Sequence, residues 1–171
     1  MSEHFEFDWP KAAACTAKLL TIIAGEEGDL GQAEALIQES MTLCPHIGSR
    51  DHVHRLVLFS KLASKRGDFK AAQEAYNKAL ELQPNDAATK TDLAIALISM
   101  NQQKEAVPLL ESAIKDDPTS IVAHYRLSGL YRRAGRLADA KHEMDQYTHY
   151  KGLKDKMSEV FKQVSTQDTP K

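Results

Sequence analysis

Shifted by 34 residues against itself, the sequence brings Pro84 onto Pro118 and the residues before each proline into register. Gly67, Phe69, Ala72, Tyr76, Ala79 and Pro84 recur as Asn101, Gln103, Ala106, Leu110, Ala113 and Pro118, and again as Gly135, Leu137, Ala140, Met144, Tyr147 and Gly152. With residues 48–52 set apart as an insertion, an earlier copy reads Gly28, Leu30, Ala33, Ile37, Ser40 and Pro45. The chain divides into a lead at 1–13 and repeats at 14–47, 53–86, 87–120 and 121–154. A period of this length marks a supersecondary unit that cannot bury its apolar face alone, so neighbouring copies must stack and share a core.

Each copy reads as two helices. In 53–86, Leu56, Phe59, Ser60 and Ala63 fall at the i, i+3, i+4, i+7 spacing of one helical face, and Ala72, Ala75, Tyr76 and Ala79 do the same for a second helix. Gly67-Asp68 breaks the chain between them. Pro84 ends the second helix, because it lacks an N–H and biases Gln83 away from helical geometry. At 101 and 103 an asparagine and a glutamine replace the usual glycine and bulky residue, and asparagine tolerates the left-handed backbone that glycine supplies elsewhere. Pro108 is expected to cost one backbone hydrogen bond or to delay its helix. Leu153, Met157, Val160, Phe161 and Val164 form one apolar stripe, read as a capping helix at 153–165 over the last repeat; 166–171 reads as a frayed tail.

The paired helices, the tight turn and the small, aromatic and proline positions resemble the tetratricopeptide repeat (TPR) family over about four fifths of the chain. The resemblance implies an all-α, right-handed superhelical solenoid of antiparallel helix pairs that binds another protein and is not an enzyme. Some members clamp the acidic tails of heat-shock chaperones with lysines, asparagines and an arginine. Here Ile22, Lys61 and Ile95 stand where polar clamp residues are wanted, and only Lys18 fits, so a different ligand is expected.

Composition narrows the function. Lys plus Arg is 22 against 24 Asp plus Glu, a net charge of -2 that calls for neither nucleic acid nor an anionic membrane. No apolar run approaches the roughly 20 residues of a membrane span, and the acidic start lacks the basic and apolar regions of a signal peptide. Cys15 and Cys44 are too few for a disulfide framework and suit a cytoplasmic protein. No phosphate loop, dinucleotide fingerprint, nucleophile elbow or H-E-x-x-H motif is present, so no catalytic residue or cofactor is assigned. His46, His52 and His54 with Cys44 lack the usual spacing of zinc ligands, and no metal is assigned either.

Function is therefore sought on the inner surface, which the resemblance gives to the first helix of each repeat. The candidate peptide groove comprises Lys18 from the first repeat and His54, Val57, Lys61 and Lys65 from the second. Thr91, Ile95 and Ile98 come from the third repeat, and Tyr125, Arg132 and Arg133 from the fourth. Basic ends around an apolar centre suit an extended or helical acidic peptide, and make the chain an adaptor or scaffold. The alternatives are a self-associating structural module, with a homodimer through a terminal helix, and a regulatory segment of a larger enzyme.

Overall fold

The computed structural model describes residues 50–167 and, in isolation, Ala35. The lead at 1–13, the repeat at 14–47 and Lys18 lie outside the described residues. Within residues 50–167 six helices follow one another: α1 Arg50–Arg66, α2 Phe69–Leu82, α3 Ala87–Ser99, α4 Gln103–Asp116, α5 Ile121–Arg133 and α6 Leu137–Gln167. Among the described residues there is no strand.

The turn within each helix pair is built the same way three times. Gly67, Asn101 and Gly135, one period apart, adopt φ of +81°, +63° and +76°. Such values cost glycine nothing and asparagine little. Just after each, the N–H of Asp68, Gln102 and Arg136 donates to the carbonyl of Ala63, Leu97 and Tyr131 at 2.9, 2.8 and 2.9 Å. These six-to-one bonds are Schellman closures, which satisfy carbonyls left open at the helix end. Helix starts are less uniform. Asp68 and Asp86 cap α2 and α3 by accepting from the N–H of Ala71 and Ala88, whereas Gln102 and Ser120 make no side-chain cap.

Between pairs, proline sets the break. Gln83 and Asp117, each before a proline, leave the helical region with φ near -133° and -134°. At the next equivalent position Gly152 has an N–H and no ring. Glycine weakens a helix without stopping it, and α6 runs on for 31 residues. This corrects the expected cap: 153–165 is helical but continuous with the last repeat, and residues 166 and 167 of the expected tail belong to the same helix. Its stripe is not buried against the described helices: Leu153, Met157, Val160, Phe161 and Val164 are each at least half exposed. Two further features differ from expectation. Residues 50–52, assigned to the insertion, form the opening turn of α1, and Pro108 does not delay α4, which keeps the 34-residue register with α2.

The core follows the repeat. Ala72, Ala106 and Ala140 are 0%, 0% and 9% exposed, so helices approach closely where the small residue recurs. Tyr76 and Leu110 fill the space one turn on, joined by Leu93, Leu97, Ala123 and Leu127 from the first helices of their pairs. Burying a side chain of leucine size contributes about 1.5–3 kcal/mol, which makes these positions the main source of stability. Each pair packs on the next, and α1 touches α3 as α3 touches α5. The first helices thereby form one continuous inner wall.

Candidate functional site

Along that wall the two ends differ. At the α1 end His54, Lys61 and Lys65 are exposed, and Val57 is half-buried against the core. Lys61 is committed: its Nζ lies 3.3 Å from Asp92 on α3. Partial burial raises the Asp92 carboxyl above its ordinary pKa, and Lys61 acts against that rise. The α1 end therefore carries an acid beside its lysine, which the residue count along the helix face missed because Asp92 lies one position past Thr91.

The middle is more closed than the spacing suggests. Thr91 is 4% exposed and donates its hydroxyl to the carbonyl of Ala87 at 2.8 Å, so it offers no polar group to a ligand. Ile95 and Ile98 are half-buried.

At the α5 end the wall opens into a cavity of about 140 Å³, lined by Ile98 of α3, by Tyr125, Arg126, Gly129, Arg132 and Arg133 of α5, and by Met144 of α6. Gly129 makes the space. It occupies the repeat position held by Lys61 and Ile95 in the two preceding copies, and a Cβ built there meets nothing within 4 Å. Tyr125 is 50% exposed and rests against Tyr147 with ring centroids 5.3 Å apart, which fixes its ring at the mouth. The guanidinium groups of Arg126, Arg132 and Arg133 are exposed and have no ion-pair or hydrogen-bond partner among the described residues. Arg136, one turn further, is by contrast occupied by Asp139 at 2.6 Å and lies 4.0 Å over the ring of Tyr131.

The structure thus brings together Ile98, Tyr125, Arg132 and Arg133 from the sequence-derived set and adds Arg126, Gly129 and Met144. His54, Val57, Lys61 and Lys65 lie two first helices away, on α1. Arg126 was not singled out because it sits one residue off the inner stripe of α5, within reach only through the length of its side chain.

Two other features bear on chemistry. His124 is buried, with Nδ1 2.6 Å from Glu143 and Nε2 2.9 Å from the carbonyl of Pro118, and its ring stacks on Tyr150. It is a tie between α5, α6 and the preceding turn. Of the four residues weighed as metal ligands, His52 and His54 lie on α1 and Cys44 and His46 lie outside the described residues. Among the described residues no group of three or more His, Cys, Asp or Glu side chains is placed to hold a metal ion. No described helix is long and apolar enough to cross a membrane.

Stacked helix pairs with an open inner wall and a cavity at one end define a helical-repeat interaction scaffold. Two consecutive matches to the tetratricopeptide repeat family, at residues 63–106 and 104–152, together span more than half of the 171 residues. The chain belongs to the tetratricopeptide repeat family. It is 35% identical over 77 residues to the inactive TPR repeat-containing thioredoxin TTL3 of Arabidopsis thaliana, covering 45% of this chain and 11% of that protein. It is 31% identical over 85 residues to the TPR and J domain-containing co-chaperone DNJ1 of Cryptococcus neoformans, covering 50% of this chain and 16% of that one. The chain therefore spans a small fraction of the length of these relatives. Among solved structures, MamA superposes with a TM-score of 0.72 at 17% identity, covering 85% of this chain and 81% of MamA. YrrB, a TPR protein with an unusual peptide-binding site, superposes at 0.65 and 16% identity, covering 81% and 68%. At these identities the likeness establishes the fold, a right-handed superhelical solenoid. The family's general role is that of a non-catalytic protein-interaction scaffold.

Proposed function

We propose that the chain is an adaptor that takes an acidic peptide segment along its inner wall and anchors it at the α5 end. The carrying observation is the convergence of three arginines that have no ion-pair partner among the described residues, Arg126, Arg132 and Arg133, on one cavity with an apolar side. A guanidinium offers paired, planar donors that match a carboxylate, and its weak hydration lowers the cost of giving up water. Ile98, Met144 and the ring of Tyr125 supply the apolar contact for a neighbouring side chain of the ligand. Lys61 contributes less than its exposure suggests, because Asp92 already neutralises it. The other wall residues, His54, Val57, Lys65 and Ile95, guide the rest of the segment. A cytoplasmic setting and a protein or peptide as the partner, with no cofactor, complete this reading.

The test is calorimetric titration with a synthetic peptide carrying a central leucine flanked by glutamates, and with its lysine-flanked counterpart. Each exposed charge pair contributes about 0.2–1 kcal/mol, so affinity is modest, rests on several contacts together and falls as salt is added. Arg132→Glu with Arg133→Glu should abolish most of the binding. Lys78→Glu with Lys115→Glu, on the second helices α2 and α4, should leave it nearly intact. Equal losses from both pairs, or equal binding of the two peptides, would remove the site from this cavity.

A further inference from the structure

Gly129 sits at the centre of a basic ring. Tyr125 and Arg126 precede it by four and three residues, and Arg132 and Arg133 follow it by three and four. Residues at those spacings are its neighbours on the helix surface, so all four side chains border the one position of α5 that has none. Among the described residues lining this cavity none is acidic, and none of the three guanidinium groups has an ion-pair partner among them. The α1 end of the wall is arranged otherwise, with Asp92 set against Lys61. The end of α5 does not supply the missing negative charge either. There the carbonyls of Leu130, Tyr131 and Arg132 already accept from the N–H of Ala134, Arg136 and Gly135 at 3.0, 2.9 and 3.2 Å.

A single carboxylate uses such a site only in part. Its one charge and two oxygens match one guanidinium fork, and two arginines are then left close together without a counter-charge. A phosphate monoester carries about -1.5 to -2 at neutral pH and presents three terminal oxygens, each able to accept from a separate guanidinium. We infer that the group anchored over Gly129 is a phosphorylated side chain of the bound peptide, which rests on the acidic-peptide reading of the same cavity and narrows it. With glycine at the centre, no side chain occupies the space between the arginine stems, and a phosphate can enter it. Planar, weakly hydrated guanidinium groups are also the donors that suit phosphate best. The apolar side of the cavity selects a peptide over a free ion. Ile98 and Met144 line it, and the ring of Tyr125, held by Tyr147 at 5.3 Å, stands at its mouth, contacts that an inorganic phosphate cannot use.

Calorimetric titration of the full chain with three peptides tests this. They keep the central leucine and differ at one flanking residue, which is glutamate, serine or phosphoserine. The phosphoserine peptide is expected to bind about tenfold more tightly than the glutamate peptide, through two further charge contacts, and the serine peptide more weakly than either. Arg126→Gln with Arg133→Gln should erase that preference. Both residues are exposed, so the circular dichroism of the variant should match that of the parent. Inorganic phosphate added as a competitor should displace the phosphoserine peptide only at concentrations far above that of the peptide. Equal binding of the phosphoserine and glutamate peptides would overturn the phosphate assignment and leave the acidic-peptide reading standing, whereas binding of neither would remove both. A preference that survives the double variant would overturn the assignment to Gly129 and its arginines. Displacement by inorganic phosphate at the peptide's own concentration would make this a site for the free ion and overturn the assignment to a peptide.

Discussion

Replacing Gly129 separates stability from binding at one position. Glycine inside a helix is less favourable than alanine by about 1 kcal/mol, because the unfolded chain loses more freedom on folding. At Gly129 nothing offsets that cost: a Cβ there meets no atom within 4 Å, and the residue does not need a left-handed backbone. Gly129→Ala is therefore expected to stabilise by about 0.5–1 kcal/mol, roughly 1–4 °C in Tm for a chain of this size, with peptide binding little changed. Gly129→Leu should also fold, but its side chain would project into the cavity beside Tyr125 and Arg132 and weaken peptide binding strongly. The assay pairs a thermal melt with the calorimetric titration above. Two results would refute the reasoning: a lower Tm for Gly129→Ala, which would show that the site is not open, and undiminished binding by Gly129→Leu, which would show that the ligand does not use the cavity.

Asp92→Asn removes the acid beside Lys61 and should strengthen acidic-peptide binding several-fold, as an exposed charge contact of about 0.2–1 kcal/mol is released to the ligand. Because burial raises the folded-state pKa of Asp92 above its unfolded value, its contribution to stability falls as pH rises through the carboxylate range, and Asp92→Asn should flatten that part of a stability-versus-pH profile. Ala72→Leu and Ala106→Leu, at positions with 0% exposure, should each destabilise by about 1–3 kcal/mol or more through overpacking, read as a drop in denaturation midpoint. Ending the chain after Gly152 should lower Tm only slightly, since the apolar side chains beyond it are each at least half exposed; a large drop would restore the capping role.

The legible and illegible parts of this molecule differ in the range of the physics that sets them. Gly67, Asn101 and Gly135 mark turns because the constraint is local: a left-handed backbone admits few residue types, and the chain announces them at a fixed period. Ala72, Ala106 and Ala140 are legible for the same reason, since a close helix approach admits only small residues. The stripe at Leu153–Val164 was visible too, but amphipathicity says only that one face is apolar, not what meets it. The missing proline at 152 was the available signal that the helix would not turn back. The Lys61–Asp92 pair, the burial of Thr91 and the reach of Arg126 into the cavity depend on distances between helices, which periodicity does not encode. Gly129 is an intermediate case, since its departure from Lys61 and Ile95 is plain in the aligned repeats and its meaning appears only beside Ile98 and Met144.

An uninterrupted α6 has a consequence of scale. The stretch from Leu153 to Gln167 is about 15 residues of helix, a rod of about 22 Å projecting beyond the last pair. Leu153 lies nine residues along the helix from Met144 of the cavity lining, about 13 Å of helix axis. A ligand that reached both the cavity and the stretch beyond Leu153 would have to bridge that distance, and its second contact would then be made at high effective concentration.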